Sequence, residues 1–203
     1  MQNTRRYIIE RIVDQPNWKA ISTLEIDCKY GEITADVKAF GQICCNEREI
    51  LLHLWTEQKE IRAEEYGPLG MPCKDSCLEF FFCPEENDTR YFNVEFNLNK
   101  CLYLGIGTCI QDLSRIIIPT IENLFAPETN RTENGWEIYF KIPYHFIQRF
   151  FPDFYVYEGK VIRANCYTCA EAVTVPYDLS WNRINKTPLT FHRREDFGIM
   201  EFH

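Results

Sequence analysis

Apolar and polar residues alternate with a period of two through most of this chain, and helical periodicity is scarce. A period of two sends successive side chains to opposite faces of a strand, so the pattern restricts the chain to a fold built almost wholly of β-strands. Residues 91–98 (YFNVEFNL) carry it most clearly. Phe92, Val94, Phe96 and Leu98 are expected inward, and Tyr91, Asn93, Glu95 and Asn97 outward. Residues 136–142 (WEIYFKI) put Trp136, Ile138, Phe140 and Ile142 on one face, and residues 49–55 (EILLHLW) set Leu52 and Leu54 against Leu51, His53 and Trp55. Residues 161–167 (VIRANCY) bring Arg163, Asn165 and Tyr167 together, opposite Ile162, Ala164 and Cys166. Residues 77–83 (CLEFFFC) are apolar on both sides, which predicts a central strand. Residues 197–202 read as a closing strand.

Turn signals separate these runs: Gly67-Pro68, Pro84 to Asp88, Asn134-Gly135 and Glu158-Gly159. Only residues 144–151, just after Pro143, suit a helical turn or two, since proline is favoured at a first helical position. The expected fold is all-β: an antiparallel two-sheet β-sandwich with one or two short helical turns. No internal repeat, low-complexity segment or linker interrupts the 203 residues, so a single domain over residues 1–203 is expected. Fifteen Phe, eleven Tyr and four Trp agree with that body, because aromatic rings favour strands.

The formal net charge is −8. An acidic surface repels phosphate backbones, so neither nucleic acid nor an anionic membrane is an expected partner. No apolar run is long enough to span a bilayer, and the first residues lack the apolar stretch of a secretory signal. The chain as written reads as cytoplasmic, and as extracellular if a leader has been removed. Ten cysteines are too few for a disulfide scaffold of this length and are expected as free, mostly buried thiols. Cys166 and Cys169 form a CxxC with no second pair to complete a zinc site, and in a strand their sulfurs point to opposite faces.

Catalytic signatures are scarce. Gly105-Ile106-Gly107 lacks the third glycine and the helix of a dinucleotide loop, and no GxSxG, HExxH or P-loop is present. Glu79 and Glu95 are the one carboxylate pair that suggests a glycoside hydrolase.

Taken in order, five stretches resemble a known family: Asp75 to Phe81, Tyr91 to Asn97, Trp136 running to Ile142-Pro143, Arg163 to Cys169, and Ser180-Trp181 followed by Phe191-His192 and Phe197-Gly198. Over residues 15–202 their order and spacing are similar to the family 9 carbohydrate-binding modules, and more so to the stand-alone family 9-like proteins of bacteria. The resemblance implies a sandwich related to DOMON-like folds that binds a mono- or oligosaccharide without reaction, at a terminal or reducing-end sugar held between aromatic rings. Position by position, it places the sugar-binding carboxylate at Glu79, one aromatic jaw at Trp181 and an amide position near Asp178. It places the family's arginine near Asn93, with Arg163 and Asn165 on the neighbouring strand able to take over that role. The second jaw falls at about Cys73, which cannot stack on a sugar, so either Tyr66 or Trp55 supplies that ring or the clamp is gone. Trp136 and Trp18 read as core. No cofactor is expected apart from the structural Ca2+ the resemblance implies, for which Asp27 and Asp75 are the candidate ligands. The remaining alternatives are a family member that has lost its sugar site and serves as an interaction domain, the hydrolase using Glu79 and Glu95, a structural Glu79–Arg163 ion pair, and a haem domain with Met71 as ligand.

Overall fold

The computed structural model describes residues 4–31 and 34–203, so residues 1–3 and 32–33 of the expected domain lie outside the described residues. Fourteen strands are described. The first five are β1 (Arg6–Arg11), β2 (Leu24–Glu25), β3 (Cys28–Lys29), β4 (Val37–Cys45) and β5 (Glu49–Gln58). They are followed by β6 (Cys77–Cys83), β7 (Tyr91–Asn97), β8 (Leu102–Gly107), β9 (Ser114–Arg115) and β10 (Glu128–Arg131). The last are β11 (Gly135–Pro143), β12 (Val161–Ala170), β13 (Tyr177–Ser180) and β14 (Gly198–Phe202). Helix is limited to α1 (Ile121–Leu124), α2 (Tyr144–Gln148) and two 3-10 turns at Pro72–Lys74 and Arg194–Asp196. The mostly-β expectation holds, and α2 begins where Pro143 predicted a helical turn.

The strands run in the order β10-β11-β5-β4-β1-β14-β12-β6-β7-β8-β9, with β2 beside β4, β13 beside β12 and β3 beside β13. The expectation of wholly antiparallel pairing is corrected at one strand. Residues 6–9 of β1 pair in parallel with β14, and residues 10–11 pair in parallel with β4. The sheet is therefore mixed and continuous. It curls through β1 so that its two halves face each other, with Phe96 of β7 and Phe140 of β11 in contact across the interior at 5.2 Å between ring centroids.

The core between the halves is built from the inward-facing residues of each strand. Phe92, Val94, Phe96, Trp136, Ile138 and Phe140 are all buried, as the alternation predicts. Phe92 packs against Phe82 and against Phe146, Phe150 and Phe151 around α2, with centroids 5.2–5.4 Å apart. Trp18, expected in the core, is only half-buried. It lies on the outer face of the first half against His53 and Tyr139, because the segment that carries it runs over that face rather than between the halves.

The outer face of the second half departs from expectation. Tyr91, Asn93, Glu95 and Asn97 are buried as completely as the inward set. A second cluster of Phe81, Cys83, Tyr91, Tyr167, Ile184 and Phe197 forms there, covered by residues 184–197. On the other side residues 61–76 are tied down by Asp75, which is fully buried. Its carboxylate accepts from the backbone N–H groups of Glu64 and Glu65 at 2.8 Å, from Asn97 Nδ2 at 2.7 Å and from the Arg62 guanidinium. Two covering segments with a gap between them leave a hollow over the middle of β6 and β7.

Candidate functional site

That hollow is a cavity of about 440 Å3. Strand alternation determines its floor. Glu79 on β6 lies directly opposite Glu95 on β7, Glu95 lies opposite Tyr103 on β8, and Cys169 on β12 lies opposite Asp178 on β13. All of these side chains, with Asn93, face the same side of the sheet and line the cavity. One wall is the 3-10 turn Pro72–Lys74, held to the end of β12 by the N–H groups of Glu171 and Ala172, which donate to the carbonyls of Cys73 and Lys74. The opposite wall is residues 189–192. There the Phe191 ring stacks on Tyr167 at 4.2 Å, and the His192 imidazole shares a 2.8 Å hydrogen bond with the Tyr91 hydroxyl. A larger groove of about 550 Å3 near Lys38 and Glu57 has no aromatic lining, and its Lys38 and Glu57 are already paired with each other. The smaller cavity is the one with chemistry.

Its floor is short of hydrogen-bond donors. Glu79 is 2% exposed, and its only described partner is the Cys169 thiol, 3.0 Å from Oε1. Glu95 is 6% exposed and accepts from Asn93 Nδ2 at 2.9 Å. Glu79 Oε2, Glu95 Oε2 and Asn93 Oδ1 have no partner among the described residues. Buried acceptors left unpaired are costly, and three of them gather around this one cavity. Burial raises the Glu79 carboxyl well above the usual range, and the neighbouring Glu95 adds to it. Burial also lifts Glu95 to about 7 against the opposing pull of the Asn93 bond, and lifts Asp178. Burial takes His192 down to about 4, so its ring is neutral at neutral pH.

Three of the six predicted site residues, Glu79, Asn93 and Asp178, meet at this cavity, and Glu95 joins them. The other three are corrections. Trp181 is 3% exposed and belongs to the main core. Its ring packs against Gly198, where an added Cβ would come within 2.3 Å of it, so no ring face is free to stack on a sugar. Asn165 is fully buried and serves the backbone: its Oδ1 accepts from Asn182 N–H at 2.7 Å and its Nδ2 donates to Asn182 O at 2.8 Å. Arg163 is on the same strand face as Tyr167 but sits opposite Cys83, while Glu79 sits opposite Tyr167. Four residues of strand separate those positions, about 13 Å. Its guanidinium donates to Phe197 O, and the expected Glu79–Arg163 pair does not form.

Neither candidate for the second ring reaches the site. Trp55 stacks between Phe40 and His53 on the first half of the sheet, and Tyr66 is 67% exposed away from the cavity. Cys73 does line the cavity, at the edge where the missing jaw was expected. Phe191, His192 and Tyr103 supply the aromatic wall instead. Tyr103 alternates with the buried Leu102 and Leu104 on β8, a local signal of its face, whereas no local pattern marks Phe191 and His192.

The candidate calcium ligands are occupied. Asp75 is saturated by four donors, and Asp27 pairs with Arg5 at 2.7 Å. Among the described residues one grouping brings metal-ligating atoms within 4.8 Å of one another: the thiols of Cys77 and Cys169 and the Glu79 carboxylate, all buried. The cross-strand partner of Cys169 is thus Cys77 and not Cys166, which faces the core. All ten cysteines are free thiols, as expected.

The family model for carbohydrate-binding family 9 matches residues 10–202, nearly the whole chain. The chain belongs to carbohydrate-binding family 9. No curated protein matches it in sequence. Among solved structures it is similar to a Bacteroides uniformis protein to which carbohydrate binding has been ascribed, with 23% identity, a TM-score of 0.84 and coverage of 99% of this chain and 100% of that one. It is also similar to a family 9 module of Caldicellulosiruptor kristjanssonii solved with cellotriose, at 8% identity and a TM-score of 0.69, covering 98% of this chain and 93% of that one. The same module with glucose gives the same identity and TM-score, covering 98% and 96%. At these identities the likeness shows the fold. No helix among the described residues is long and apolar enough to cross a membrane.

Proposed function

We propose that this family member binds one sugar ring, at the end of a mono- or oligosaccharide, in the cavity over β6 and β7 and leaves it chemically unchanged. The observation that carries the reading is the set of three unpartnered acceptors, Glu79 Oε2, Glu95 Oε2 and Asn93 Oδ1, beside an aromatic wall. Sugar hydroxyls donate to such oxygens, and the C–H face of a pyranose packs on rings such as Tyr103 and Phe191. The family and the sugar complexes of its Caldicellulosiruptor member support the same conclusion. Neighbouring cross-strand carboxylates rise from one floor, so both address a ligand from the same side. A glycoside hydrolase needs them to flank the scissile bond, which argues for binding over hydrolysis.

Calorimetry against glucose, cellotriose and other reducing sugars tests this. Dissociation constants of about 10 μM to 1 mM are expected, or about −4 to −7 kcal/mol. Asn93→Ala and Phe191→Ala should each weaken binding with little change in fold. One observation favours the alternative of an interaction domain: the burial of Trp181 and the cysteine at the other jaw leave no two-ring clamp. No heat from any sugar at millimolar concentration would make that alternative the better reading.

A further inference from the structure

The sugar-binding reading leaves open why a cavity for a neutral ligand should be lined by so many carboxyl groups. Glu79 and Glu95 form its floor, Asp178 is half-buried at its side and Glu171 stands exposed at its mouth. Among the described residues no lysine or arginine lines it. The Arg115 guanidinium lies over the Tyr103 ring and donates to the carbonyls of Gly70, Leu102 and Leu69; it does not line the cavity, and its charge only partly offsets the rise at Glu95. The one imidazole in the wall, His192, is neutral and bonded to Tyr91.

Hydrogen-bond accounting points the same way. The three unpartnered floor atoms are all oxygens, and the Asn93 amide has spent a donor on Glu95. A sugar hydroxyl brings one donor and two acceptor lone pairs, so it matches this floor only while the carboxyls keep protons to donate back. An ammonium brings three donors and no acceptor. It satisfies this floor with charge-assisted bonds, the stronger kind.

Resting on the sugar-binding reading, we propose that the ligand of this cavity is an amino sugar, whose protonated amine sits over Glu79, Glu95 and Asn93 while its ring packs against Tyr103 and Phe191. An inorganic cation fits less well. The only grouping of ligating atoms within 4.8 Å among the described residues joins Glu79 to two buried thiols and includes neither Glu95 nor Asp178. The oxygens of the three carboxylates therefore do not converge as hard-cation coordination requires. The volume of about 440 Å3 and the apolar side chains of Phe81, Leu113 and Leu189 suit a ring rather than an ion. Docking an ammonium also favours the ionised carboxylates, so binding near neutral pH releases protons that the empty floor holds.

The test is calorimetric titration of the full chain at neutral pH with D-glucosamine, D-glucose, N-acetyl-D-glucosamine, ethanolamine and Ca2+. Glucosamine should bind about tenfold or more tighter than glucose or the N-acetyl sugar, with proton release seen as a dependence of the heat on buffer ionisation. Glu79→Gln and Glu95→Gln should each erase most of that advantage, lowering glucosamine affinity by a larger factor than the loss they cause in glucose affinity at the same oxygens. Asp178→Asn, less buried and safer for folding, should reduce it in part. Glucose binding as tightly as glucosamine would overturn the amine preference and leave the sugar site standing. Silence from every sugar would overturn both readings. Ethanolamine binding as tightly as glucosamine would overturn the sugar half in favour of a plain amine site. Ca2+ that binds and expels glucosamine would overturn the proposal in favour of an inorganic cation site.

Discussion

Glu79 and Glu95 face each other from adjacent strands, each with one carboxylate oxygen left without a partner. Their folded-state proton affinity is raised by burial, Glu95 to about 7, above the ~4.3 of an unfolded chain. The folded protein thus holds protons that the unfolded chain releases, and this contribution is complete below ~4.3 and lost as pH rises through about 7. His192 acts in the opposite sense. Its affinity is lowered to about 4, so its contribution is present above ~6.5 and lost as pH falls toward about 4. The two oppose each other at mildly acidic pH, and of these three groups only the carboxylates act above ~6.5. As Glu95 ionises, the melting temperature of the ligand-free protein should therefore fall between about pH 6.5 and 7.5, by roughly 2–4 °C for about 1 kcal/mol. Glu95→Gln should flatten that fall, as thermal melts across the range would record. Trp181 makes the other residue-scale prediction. Trp181→Ala should cost about 3–5 kcal/mol of stability in denaturant titrations, and the protein that remains folded should bind sugar with unchanged affinity. A loss of affinity without a loss of stability would contradict the burial of that ring.

At the scale of elements, β6 and β7 carry both the core and the site. Their even-numbered residues, Phe80, Phe82, Phe92, Val94 and Phe96, fill the space between the two halves of the sheet. Their odd-numbered residues, Phe81, Glu79, Asn93 and Glu95, make the cavity floor. A substitution should accordingly act on stability or on binding according to its parity. Phe92→Ala empties a position ringed by four other phenylalanines and should cost about 3–5 kcal/mol without touching a ligand. Paired measurements of stability and sugar affinity on Phe92→Ala and Asn93→Ala would show the effects segregating between two adjacent residues. Gly135 plays a different role at the start of β11. A Cβ there would lie 1.9 Å from the Thr56 carbonyl on β5, so the close approach of the two backbones admits only glycine.

For the whole molecule, the curl through β1 and the two covering segments decide where a ligand can bind. The outer face of β6, β7 and β12, part polar and part aromatic, would be an open sheet surface without residues 61–76 and 184–197. Asp75 anchors the first segment, and Asn182 helps anchor the second by donating from Nδ2 to Asp196 O at 2.8 Å and accepting Arg5 N–H at 2.8 Å. The aromatic wall belongs to the second segment, so recognition depends on loops folded over a rigid strand floor.

Sequence alone determined six of the strands, β5, β6, β7, β11, β12 and β14, because strand periodicity is local and an inward face is written in consecutive residues; the nine-residue β4 and the parallel β1 were not among them. It also placed Glu79, Asn93 and Asp178 among the candidates and foresaw that Cys73 could not serve as an aromatic jaw. Only the tertiary structure decided which outward faces meet solvent. The outward set of β7 is buried because chain segments roughly 20 to 100 residues away fold over it, and no local pattern encodes that cover. The same holds for Trp181 and Arg163. A tryptophan beside a turn reads alike whether it faces a cavity or Gly198, and an arginine on the right strand face can still sit about 13 Å from the carboxylate it was paired with. Periodicity specifies the face of a strand. Register and covering loops, which depend on distant residues, specify the site.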